Sequence, residues 1–187
     1  MIADVDGDFH DLTDIEMPDT MPILAVRSLV LFPGVVSPIL IGRESSMTLI
    51  RKAEKKGILI GIFTQRDAEV EMPIRSDLFD YGVVGKVLKT LTLPNGNITA
   101  IVQGLGRVKL EDITKYHPYL EGHVTNMPEE EPDKRDVEFR TAMEDLRQSV
   151  NQYVSMSDEI PDEAQFALKN VTNDIMALNF ICSNLPF

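Results

Sequence analysis

The dominant hydrophobic period of this chain shifts from 2 to 3.6 past a single boundary stretch. Up to about Thr125 the apolar residues come in short, β-branched runs, and beyond Arg135 they recur every three or four residues. Between the two regimes lies a stretch, 127–135, that contains Pro128, Glu129, Glu130, Glu131, Pro132 and Asp133. Proline donates no ladder hydrogen bond and clustered carboxylates repel one another, so this stretch cannot pair into a sheet and marks a boundary. The chain is thereby directed to an α+β fold: a β-rich domain over 21–126, an acidic Pro-rich linker over 127–134 and a helical subdomain over 135–187.

Within the β-rich part, 22–27 and 35–41 are apolar and β-branched, separated by the turn chemistry of Phe32-Pro33-Gly34. Residues 58–64 form a buried-type run. The segments 81–93 and 97–104 flank Pro94-Asn95-Gly96, and Asn-Gly is the strongest short hairpin signal because both residues tolerate positive φ. Residues 107–116 alternate Val108, Leu110 and Ile113 with Lys109, Glu111 and Asp112, and a last strand, 119–125, follows the break at Pro118. Many short strands with Gly and Pro between them predict a barrel or sandwich. One helix interrupts them at 43–56. Met47, Ile50 and Ala53 share a face, Glu44 opens the first turn, Lys52, Lys55 and Lys56 close the last, and Gly57 suits a left-handed cap.

In the helical part Phe139, Met143, Leu146, Val150 and Tyr153 make one apolar stripe on a helix from about 133 to 155. Pro161, with Asp162 and Glu163, fits the first turn of a second helix. Ile175, Leu178, Cys182 and Leu185 mark a third, stopped by Pro186. Residues 1–20 hold seven acids and no Lys or Arg, which predicts a solvated, disordered tail.

Eighteen Lys and Arg stand against 30 Asp and Glu, a net charge of −12, of which the first 20 residues carry −7 and the rest −5. That balance argues against a nucleic-acid partner. The single cysteine, Cys182, excludes an internal disulfide and a Cys-rich zinc module. No apolar stretch approaches the roughly 18–20 residues that span a bilayer, and an acidic start is unlike a secretory signal, so a cytoplasmic location without a membrane partner is expected.

The search for chemistry finds little. Gly85-Lys86 lacks the preceding glycine and the following Ser or Thr of a phosphate loop, and Gly104-Leu105-Gly106 lacks the third glycine of a dinucleotide fingerprint, so these read as turn or bulge glycines. On one continuous strand, His117, Glu121 and His123 would share a face, but Pro118 spoils that geometry and a polar edge face is the expected reading. Cys182 lies on an apolar stripe and reads as a small core residue. Glu129, Glu130 and Glu131 sit where nothing is expected to desolvate them. No catalytic, cofactor-binding or metal site is assigned.

The apolar run Leu29, Val30, Leu31, Phe32, Pro33, Val35 and Val36 crosses a connection where polar residues are the norm. Either this turn folds inward as core or it is a binding surface. On the second alternative Leu29, Leu31, Phe32, Pro33 and Val35 form a contact patch, with Met72 as an outlying candidate.

The segment 21–34, MPILAVRSLVLFPG, followed by Pro38 and Ile41-Gly42-Arg43-Glu44, resembles the opening of the N-terminal domain of the ATP-dependent Lon proteases. The resemblance continues in order through Gln65-Arg66-Asp67-Ala68-Glu69, Asp77-Leu78-Phe79, Gly82-Val83-Val84-Gly85-Lys86-Val87, Leu93-Pro94-Asn95-Gly96 and Val102-Gln103-Gly104-Leu105-Gly106-Arg107-Val108. Ile160-Pro161 and Asn184-Leu185-Pro186 extend it to the helices. It implies a PUA-like pseudo-barrel with a helical extension, a region that captures unfolded or damaged proteins and helps hold a homohexamer. ATP, magnesium and a Ser-Lys dyad would belong to downstream modules with no counterpart here, so the chain is expected to be a non-catalytic fragment of a longer protease. A stand-alone adaptor or ligand-binding module of the same fold, or mainly an oligomerisation module, is the alternative.

Overall fold

A computed structural model describes residues 17–130, 132–133, 135–156, 171 and 173–184. In chain order the elements are β1 (Thr20–Val26), β2 (Val36–Ile41), α1 (Glu44–Lys56), β3 (Ile60–Thr64), a 3-10 turn (Arg75–Asp77), β4 (Tyr81–Thr92), β5 (Ile98–Lys115), β6 (Leu120–Met127), α2 (Val137–Met156) and α3 (Asp174–Asn184). Most of the acidic tail and the proposed Pro161 helix lie outside the described residues. Thr20 already pairs with His123, and the Asp19 carbonyl accepts the Val124 N–H, so the sheet begins before Met21.

The strands form one sheet in the order β2-β5-β4-β3-β1-β6, and β6 also pairs with β5, which closes it. β1 and β3 run parallel, from Ile23 opposite Gly61 to Val26 opposite Thr64; the other pairs are antiparallel. A parallel pair needs a crossover, and β2 with α1 supplies it. β1 is apolar almost throughout because both of its faces are covered. Leu24 and Val26 join one core with Leu49, Ile50 and Ala53 of α1, while Met21, Ile23 and Ala25 join a second with Phe63, Val108 and Leu110.

α1 follows its local signals. Gly57 caps it in the left-handed region at φ 65°, and Lys55 and Lys56 occupy its last turn. Leu49 is buried beside Ile50 and Ala53, and Met47 only packs against their edge. The Asn95-Gly96 hairpin is closed by the Leu93 N–H on the Asn97 carbonyl at 2.8 Å.

Three expectations are corrected. Residues 97–104 and 107–116 are one 18-residue strand, β5, and Leu105 is the extra residue of a bulge, since Val84 faces Gly106 and Gly85 faces Gly104. The strand bends there, which is how one element serves both β2 and β6. In α2, which Asp136 caps through the Phe139 N–H at 3.1 Å, Val154 is buried and Tyr153 exposed, so the stripe leaves the helix on a four-residue step. In α3 the buried face is Ala177, Phe180 and Ile181; Ile175, Leu178 and Cys182 flank it, and Leu185 lies outside the described residues.

Asn179 fastens α3 to the β-rich part. Its Nδ2 donates to the Pro33 carbonyl at 3.2 Å, and its Oδ1 accepts Arg107 Nη2 at 2.6 Å. Arg107 Nη1 also lies 3.4 Å from Glu129 Oε1, whose side chain is almost wholly covered. Glu129 is therefore not in an open linker, as its acidic neighbours suggested.

Candidate functional site

The run from Leu29 to Val35 turns mostly inward, leaving Val30 exposed. Leu31 and Val35 are 5% and 7% exposed and belong to the first core, Pro33 is buried, and Leu29 and Phe32 are half-buried against it. Backbone pairing pins the segment: Gly34 N–H donates to Gly104 O at 3.0 Å, Gly104 N–H to Val35 O at 2.9 Å, and Thr64 Oγ1 to Leu29 O at 2.5 Å. A connection whose polar groups are paired this way can carry core residues, which is why the apolar composition does not produce an open patch. Of the six candidates, Met72 alone stands free, at 84% exposed.

Next to this segment is a groove of about 580 Å³, lined on its apolar side by Leu29, Pro38, Ile39 and Leu40 and on its polar side by Arg27, Arg43 and Glu71. β2 supplies Pro38 and Leu40. It stands at the end of the sheet order, with no strand beyond it among the described residues. Proline is tolerated at such an edge because no ladder partner needs its N–H. Leu40, 65% exposed, points away from the core that Ile39 and Ile41 enter.

Arg43 joins the apolar and charged sides. It precedes α1 in the N-cap position without capping it, a place where Ser, Thr, Asp or Asn is favoured and where the positive helix end opposes a cation. Its guanidinium turns instead to β1 and the β3–β4 connection, donating to the Ala25 carbonyl at 3.3 Å, the Val70 carbonyl at 3.0 Å and Gln65 Oε1. Gln65 is buried and donates to the carbonyls of Val70 at 2.9 Å and Asp67 at 3.0 Å. Burial, then the neighbouring Arg27 charge, lowers the Arg43 pKa, and Glu71 acts the other way.

Glu71 lies between the two arginines. Its Oε1 is 2.8 Å from Arg27 Nη2 and its Oε2 is 4.0 Å from Arg43 Nε. The Arg27 hydrogen bond, followed by the Arg27 charge, holds its carboxyl below the usual range. Asp80, bonded by Arg75, and Glu111, bonded by Thr125 and Lys109, are lowered too. A carboxyl lowered in the folded state stabilises it above the unfolded value, and the contribution vanishes as pH falls through the folded one. Thermal midpoints measured from pH 7 to 3 should therefore decline below about pH 4, and a Glu71→Gln, Asp80→Asn, Glu111→Gln triple variant should decline less; parallel curves would show that these three pairs carry no such contribution.

Sequence reasoning missed Arg27, Arg43, Glu71, Pro38 and Leu40 as site residues. The one available signal was Arg43, a residue at odds with its helix position.

A family model described as the ATP-dependent protease La (LON) substrate-binding domain matches residues 20–187. The chain belongs to this family. Lon proteases of Parabacteroides distasonis and Porphyromonas gingivalis are each 39% identical to it, over 184 and 186 residues, covering 98% of this chain. The chain spans 22% of the length of each of these relatives. Among solved structures, the N-terminal domain of a Mycobacterium avium complex Lon protease aligns with a TM-score of 0.56 over 89% of this chain and 100% of that one, at 16% identity. A Lon N-terminal domain protein from Xanthomonas campestris aligns with a TM-score of 0.51 over 89% and 99%, at 14% identity. At that identity the likeness establishes the mixed α+β fold with its six-stranded sheet. Gly85-Lys86, rejected above as a phosphate loop, stands inside β4 of this Lon domain, where Ile62 and Val102 fill the space over Gly85.

Proposed function

We propose that this Lon domain captures exposed apolar segments of unfolded or damaged proteins, with the groove beside β2 as the contact surface. The observation that carries this reading is the juxtaposition of Leu29, Pro38 and the exposed Leu40 along β2, the end strand of the sheet among the described residues. An edge offers main-chain hydrogen bonds to any extended chain, and the apolar wall adds burial with little regard for sequence. Of the earlier patch, Leu29 lines the groove and Met72 stays an outlying candidate, while Leu31, Pro33 and Val35 are buried and Phe32 is half-buried against the core.

The domain would act as the non-catalytic receiving part of a cytoplasmic, homo-oligomeric, ATP-dependent Ser-Lys protease. ATP and magnesium would be bound by other modules of that protease. Among the described residues no helix is long and apolar enough to cross a membrane.

Leu40→Asp should weaken binding of a reduced, alkylated and permanently unfolded protein about tenfold, as expected for losing one buried leucine contact. Leu40 is largely exposed, so thermal stability should stay the same. Binding unchanged by Leu40→Asp, measured by fluorescence anisotropy, would remove the groove from consideration.

A further inference from the structure

Glu71 occupies the charged end of the groove on a segment, Val70-Glu71-Met72, that is itself one acidic residue between two apolar ones. Its side chain is 74% exposed, whereas that of Arg43 is 16% exposed and held by three acceptors. The arginine is thus fixed, and the carboxylate is held by Arg27 alone at an exposed position where water can replace it. Arg43 Nε is buried and has no hydrogen-bond partner, and Glu71 Oε2 at 4.0 Å is beyond hydrogen-bonding range. A guanidinium N–H left this way is a donor without its acceptor. Residues 21–187 carry a net −5, so two arginines facing one groove are a local reversal of a mildly negative field.

We propose that Arg27 and Arg43 form a carboxylate receptor, that Glu71 fills it as an internal stand-in, and that client segments carrying a Glu or Asp side chain between apolar residues displace it. This rests on the groove reading above and adds a charge preference to it. The occupant is assigned as an acidic side chain because the group now in place is one, flanked by Val70 and Met72. The apolar flanks of the client would lie along Leu29, Pro38 and Leu40, and its carboxylate would accept from Arg27 and from the unfilled Arg43 Nε.

The test uses labelled twelve-residue apolar peptides, amidated at the C-terminus, with one central Glu or one central Gln, plus the Gln peptide with a free C-terminus. Anisotropy titrations with the 187-residue protein should show the Glu peptide binding about five- to tenfold tighter than the amidated Gln peptide, the range for an added charged hydrogen bond at a partly exposed site. Salt at 0.5 M should narrow the gap. Glu71→Gln, which empties the receptor, should widen it, and Arg27→Ala should close most of it. Equal, Leu40-dependent binding of both amidated peptides would overturn the charge preference and leave the groove reading standing. Binding of neither in a Leu40-dependent way would overturn both. A preference that follows the free C-terminus and not the central Glu would overturn the assignment to a side chain.

Discussion

Phe63→Ala is expected to lower the stability of the protein by about 3–5 kcal/mol, a large share of the roughly 5–15 kcal/mol that separates a folded domain from its unfolded chain. The ring is fully buried in the second core. It lies across two glycines: a methyl on Gly82 would stand 2.5 Å from its Cδ1, and one on Gly61 would stand 2.9 Å from its Cε2. Glycines have no side chain to swing into a vacated space, so the cavity left by the ring stays open and its full cost is felt. Urea titration should show a lower midpoint with an unchanged slope. A loss below about 1 kcal/mol would mean that β3 and β4 close over the gap, the collapse that limits the cost of a cavity.

Gly104→Ala should cost about 1–3 kcal/mol by the opposite route, overpacking. A Cβ at this position would come closer than 3.0 Å to the Phe32 carbonyl oxygen, nearer than real Cβ atoms approach. The obstacle is backbone, so no rotamer change relieves it, and either β5 or the 29–35 segment must move. Movement would lengthen the Gly34–Gly104 and Gly104–Val35 hydrogen bonds, now 3.0 and 2.9 Å. Amide exchange at Gly34 should accelerate with the loss of stability, and because Leu29 is carried by the same segment, client binding should fall as well. Exchange and melting both equal to those of the parent protein would show that the segment accommodates the methyl without strain.

The elements that could be read from the sequence are those specified by neighbours in the chain. The Asn95-Gly96 hairpin and α1, with its basic last turn and Gly57, each satisfy local rules that no distant contact overrides. The direction of the 29–35 segment could not be read this way. Its apolar residues suit a core and a binding surface equally, and the groups that decide between them, the β5 bulge at Gly104 and Asn179 of α3, come from far along the chain. The Arg27, Arg43 and Glu71 cluster was hidden for a similar reason. Each looks like an ordinary surface charge, and only the parallel pairing of β1 with β3 brings the end of β1, the start of α1 and the β3–β4 connection to one place. In α2 the error at Tyr153 was one of phase, since Val154 lies four residues beyond Val150 and continues the same face.

The pairing of β1 with β6 has a consequence for the order of events on the ribosome. β1 is synthesised first among the strands, and the partner that covers its outer side, from Thr20 opposite His123 to Ile23 opposite Leu120, is synthesised last. For about a hundred residues of translation, equivalent to roughly 5–20 s at ordinary elongation rates, the nascent sheet has an open edge from Thr20 to Ile23, with Met21 and Ile23 on it. Open apolar edges recruit other chains. A polypeptide stalled before Leu120 would therefore display the kind of exposed apolar strand that the completed domain is proposed to capture.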